Sequence, residues 1–97
     1  MKKTFPVTAP GKDAARVRDK IRHEINKYVR REQRKTLPEA AGRWQFTCRL
    51  GTSEADAQAW ELKELGRAID ALAAEGATHV FVDIAASAVA RKNPRRQ

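Results

Sequence analysis

Apolar and polar positions change their period several times along the 97 residues, and each change marks an element. In "KTFPVT", Phe5 and Val7 alternate with Thr4, Pro6 and Thr8, the two-residue period of a half-buried strand. Pro6 has no N–H to give to a neighbour, which places this strand at a sheet edge. "APGKD" follows as a turn, with Asp13 positioned to cap a helix.

From Asp13 to about Lys35 the spacing becomes helical: Ala14, Val17, Ile21, Ile25, Tyr28 and Val29 gather on one side. Leu37-Pro38 ends the run, because a residue before proline is pushed out of the α region. "WQFTCRL" alternates again, with Trp44, Phe46, Cys48 and Leu50 on one face and Gln45, Thr47 and Arg49 on the other. Ser53 and Asp56 are spaced as a capping box and predict the start of a second helix, carried by Leu62, Leu65, Ile69, Leu72 and Ala73 and closed by Gly76. "THVFVDIAA" then reads as a third strand, with Val80, Val82 and Ile84 inward and Phe81 outward between His79 and Asp83.

The pattern predicts an α+β fold, an α/β two-layer sandwich of order β-α-β-α-β, with a three-stranded sheet and two helices mainly on one face. It occupies residues 1–90 as one domain, and residues 91–97, "RKNPRRQ", form a basic tail without an apolar residue.

Charge sharpens this picture. The net charge is +8, but residues 1–52 hold fourteen basic and five acidic side chains, whereas residues 53–90 hold two and seven. Such a division favours an anionic partner over a neutral ligand. The concentration is greatest on the first helix. At 100° per residue, Lys12, Arg16, Lys20, His23, Lys27, Arg30 and Arg34 fall in one stripe opposite the apolar face, flanked by Arg31 and Lys35.

A row of flexible cations can follow the phosphates of a nucleic-acid strand and release its counterions, and arginine, at twelve to eight over lysine, suits phosphate oxygens. The alternative is a solvated helix face balanced by its own acids, Lys20 with Glu24, Glu24 with Lys27 and Glu32 with Lys35. With a sheet of about seven residues per strand, the helix would also overhang the sheet and carry "RREQRK" into solvent. On a helix-free sheet face, Arg49 and Phe81 would offer a cation beside a stacking ring for an RNA base. A covered Phe81 removes that platform. Trp60 points away from the apolar side of the second helix, either toward a partner or into a helix that starts later.

Catalysis finds little footing. Cys48 lies on the apolar side of its strand, the two histidines are not placed as a dyad, and neither metal-ligand spacing nor a glycine-rich phosphate loop is present. No enzyme activity, cofactor or metal is therefore expected. One cysteine, with Pro6, Pro10 and Gly11 interrupting the basic start, leads to the expectation of a cytoplasmic chain without a signal peptide or membrane span.

With "MKKTFPVT", "IRHEINKYVRREQRKTLPE", "WQFTCRLG" and "AID", the chain resembles a small family of uncharacterised bacterial proteins grouped as a domain of unknown function. The resemblance spans nearly all of it except the tail and implies no activity. The order β-α-β-α-β with a basic first helix is also similar, at the level of fold, to the C-terminal domain of bacterial translation initiation factor three, which binds ribosomal RNA. The expectation is an RNA-binding module, with Lys12, Arg16, Lys20, Lys27, Arg30, Arg31, Arg34 and Lys35 on phosphates and Arg49 and Phe81 on a base. The alternative is an adaptor that sets the same helix against an acidic protein or a second subunit.

Overall fold

The computed structural model describes residues 1–8, 11 and 13–90. The expected role of Lys12 and the basic tail at residues 91–97 lie outside them. The elements run β1 (Lys2–Pro6), α1 (Ala14–Gln33), β2 (Ala41–Gly51), β3 (Gln58–Trp60), a single 3-10 turn (Leu62–Glu64), α2 (Leu65–Ala74) and β4 (His79–Ala90). The fold is α+β, with a four-stranded antiparallel sheet of order β1-β4-β2-β3 rather than the expected three strands. It contains two split β-α-β units: β1 and β2 flank β4, and β3 and β4 flank β2. The added strand also breaks the β-α-β-α-β order on which the likeness to the initiation-factor domain rested.

The strand missed by periodicity is β3. Ser53 and Asp56 do not cap a helix. Thr52 Oγ1 and Ser53 Oγ donate to Asp56 Oδ2 at 3.1 and 3.3 Å, closing a turn that returns the chain along β2. Gly51 makes this return possible: a Cβ there would stand 2.8 Å from the backbone of Asp56 and Ala57. The chain then pairs Gln58 with Leu50 and Trp60 with Cys48 before α2 begins.

Helix α1 starts where expected, with Asp13 Oδ1 accepting from the Ala15 N–H at 3.1 Å. Helix α2 ends at Gly76, whose φ of 97° fits the left-handed turn that lets the Ala77 N–H reach the Leu72 carbonyl. Between the sheet and helices lies one core: Phe5, Val7, Ile21, Ile25, Val29, Cys48, Leu50, Leu65, Ala68, Ile69, Val80, Val82 and Ile84. The helices are tied to each other by Asp70 of α2, which accepts from Arg18 Nε at 2.9 Å and from Arg22, while Arg22 also donates to the Gly66 carbonyl.

Strands β2 and β4 are longer than the alternation indicated, at 11 and 12 residues, and the described molecule extends 56 × 24 × 18 Å. A strand of this length reaches about 37 Å at 3.4 Å per residue, more than the roughly 30 Å of a 20-residue helix. Helix α1 therefore has sheet beneath it instead of overhanging it. Near its end, Trp44 Nε1 of β2 donates to the Lys35 carbonyl at 3.3 Å. No helix among the described residues is long and apolar enough to cross a membrane.

Candidate functional site

The apolar side of α1 faces inward through Ile21, Ile25 and Val29, which sends the opposite side to water. Arg16, Lys20, Lys27, Arg30, Arg31 and Arg34 are all exposed. None of the six has a carboxylate partner among the described residues, whereas Lys2, Lys3, Arg18, Arg22, Lys35, Arg49, Lys63 and Arg67 all do. From Arg16 to Arg34 the ridge extends about 27 Å at 1.5 Å per residue.

The intrahelical pairs that would have neutralised it form only in part. Lys35 meets Glu32 at 2.9 Å, so it is less free than the rest. Glu24 turns away from Lys20 and Lys27 to meet Lys3 of β1 at 3.3 Å. The chain thus diverts an acid from the ridge to its own sheet edge. Arg31 rests with its guanidinium 6.0 Å from the Tyr28 ring centre, still open to solvent. Below the N-terminal half of the ridge, a groove of about 710 Å³ opens between β1 and α1, with Phe5, Val17 and Ile21 in its lining and Arg16 and Lys20 beside them.

Arg49 and Phe81 do not form the expected base platform. Phe81 does fall on the helix-free face, but it is only 6% exposed. Its cover is the turn after β2. Glu54 receives Lys2 Nζ from β1 at 3.4 Å, and its carbonyl accepts from Arg49 Nη2 of β2 at 3.2 Å, so the turn spans β4 between them. Arg49 is held further by Asp83 at 3.4 Å. A ring in this position cannot stack on a base without displacing the turn.

Trp60 is 41% exposed, on the edge strand β3 instead of on a helix. It shares a shallow pocket with Leu50, Gln58 and Leu72. His23 and His79 are both exposed, with Thr78 Oγ1 3.0 Å from His79 Nδ1. Among the described residues no group of three histidine, cysteine or acidic side chains could hold a metal ion.

Cys48 is a core residue, 1% exposed, where burial first and the nearby Asp83 charge second push its thiol above the ordinary value of 9.0. Burial likewise raises Tyr28 above 10.0, assisted by Glu32. Because the folded state holds both protons more tightly, their stabilising contribution is full below the unfolded values and is lost as pH rises through the folded ones. Denaturant midpoints should accordingly fall as pH is raised from about 9 to about 11, a range that starts near the unfolded value of the thiol and passes that of the phenol. At neutral pH, a thiol reagent should modify the native protein far more slowly than the denatured chain; equal rates would show that Cys48 is not enclosed.

A search of curated proteins and one of solved structures return no match. A family model matches residues 1–95, and the chain belongs to that family, DUF6172, a family of unknown function.

Proposed function

We propose that this protein binds nucleic acid, RNA before duplex DNA, by laying the exposed side of α1 along the phosphate backbone. The observation that carries the reading is the row Arg16, Lys20, Lys27, Arg30, Arg31 and Arg34, exposed and without carboxylate partners among the described residues. Unpaired cations held in line by a rigid helix lose little freedom on binding and gain from counterion release. With Phe81 covered, contact is to phosphate and sugar, and preference among sequences is weak.

The rival use of the ridge, against the acidic half of a second copy, has less support. Three of the four carboxylates around α2 are already engaged, Asp70 by Arg18 and Arg22, Glu64 by Arg67 and Glu61 by Lys63, and Glu75 alone among them has no cation partner among the described residues. They offer little free negative charge to a neighbouring ridge. Fluorescence anisotropy with a labelled single-stranded RNA tests the proposal. If six phosphates are neutralised, log K should fall with log salt at a slope of about −4. Absence of binding at low salt would remove the reading, and tighter binding to an acidic polypeptide than to RNA would transfer it to a protein partner.

A further inference from the structure

The outer half of β4 has a free edge. Strand β1 pairs with Lys2 opposite Asp83, and Met1 exchanges hydrogen bonds with Ile84, the Ile84 N–H reaching the Met1 carbonyl at 2.7 Å. Beyond this pair no strand among the described residues lies against this side of Ala85–Ala90. Backbone groups alternate along an antiparallel strand. Ile84 faces β1, hence Ala86, Ala88 and Ala90 direct their N–H and C=O groups to the open edge, while Ala85, Ser87 and Val89 face β2 and lie opposite Thr47, Gln45 and Arg43.

Open edges are usually guarded by charge, proline or a bulge. From Ile84 to Ala90 this one carries neither charge nor proline, and the register shift opposite its end lies in β2, between Ala41 and Arg43. In a chain where 33% of residues are charged, Ile84–Ala90 reads IAASAVA, and Ala85, Ser87, Ala88 and Ala90 are exposed.

We infer that the Ala86–Ala90 edge of β4 docks antiparallel on the same edge of a second copy of this chain, joining two four-stranded sheets into one of eight strands. Three features select this occupant. Antiparallel self-pairing about a two-fold axis at Ala88 puts Ala88 opposite its own counterpart and Ala86 opposite Ala90, so every outward-facing residue meets another. Extending the register further would require the slot at Ile84, which Met1 already fills on both copies. The available edge and the self-paired segment therefore have the same length.

Neutral, small side chains are also what self-pairing demands, since any charge near the axis would face its own sign. The joint centres on Ala88, with Ala86 of each copy opposite Ala90 of the other. With the two-fold axis perpendicular to the sheet, both α1 helices stand on one side. The dimer does not depend on nucleic acid.

Sedimentation of the nucleic-acid-free protein should show a species of twice the 10.9 kDa chain mass at high micromolar concentration. Ala88→Pro removes an N–H that no strand within the subunit uses, and loses it twice across the axis. Its circular dichroism should match the parent, and its dimer dissociation constant should rise by about tenfold or more, each tenfold corresponding to ~1.4 kcal/mol. Ala88→Cys, whose self-opposed Cα atoms would lie about 5.5 Å apart, should oxidise to a covalent dimer much faster than a control Ala55→Cys in the exposed turn. A monomer at every concentration, a dimer unaffected by Ala88→Pro, or equal cross-linking of the two cysteine variants would overturn the inference.

Discussion

Replacing Lys27, Arg30 and Arg34 together by glutamine should weaken RNA binding by about 100-fold near 0.1 M salt, each lost phosphate contact removing ~0.7 log units through counterion release. The same variant should reduce the salt slope from about −4 to about −2. Its folding stability should hardly change. None of the three side chains has an ion-pair partner among the described residues, and glutamine matches lysine and arginine in helix propensity. This separates loss of contact from loss of fold. A control with Lys63→Gln and Arg67→Gln removes two cations that face Glu61 and Glu64 on the α2 side, and it should leave the RNA slope close to the parent's. If triple variant and parent bind alike, the ridge is not the contact surface.

What the sequence disclosed of this site follows from the range over which its signals act. Helix α1 was legible because Ile21, Ile25 and Val29 repeat at helical spacing over twenty residues, with Asp13 before them and Pro38 beyond. The alternation around Phe81 also located its face correctly. Its cover was not legible, since Lys2 and Arg49 converge on Glu54 from separate strands and 52 residues part the first pair. Strand β3 is too short to show a period: only Gln58, Ala59 and Trp60 are paired, and their neighbours on β2 decide their conformation. The outer part of β4 was silent for another reason. A run of alanines carries almost no contrast between faces, so the strand continues through Ala85–Ala90 where the apolar alternation stops.

The fate of Glu24 shows how such unreadable contacts alter function. Helical spacing made it an equal partner for Lys20 and Lys27, but Lys3 is brought beside it by the fold of β1 under α1. Removing this acid from the ridge leaves both cations unpaired among the described residues. Charge on a helix face is therefore set by tertiary contacts as much as by the i and i+4 neighbours that a sequence displays.

Ile25→Ala should cost about 3 kcal/mol of folding free energy, within the range for truncating a buried isoleucine. The residue is 5% exposed and lies between Ile21 and Val29, the three buried side chains of α1. For a domain of this size, a loss of ~3 kcal/mol lowers the melting temperature by roughly 12–24 °C. Asp70→Asn, which weakens the hold of Arg18 and Arg22 between the helices, should cost only about 1 kcal/mol, because these partly exposed charges remain screened by water. Thermal and denaturant unfolding of the two variants rank the attachments directly. The apolar contact should dominate, since removing it leaves an unfilled space beneath the helix, whereas asparagine can still accept a hydrogen bond from an arginine. A greater loss in Asp70→Asn would mean that α1 is held in place by its ion pairs, and the ridge would then share the salt sensitivity of its own attachment.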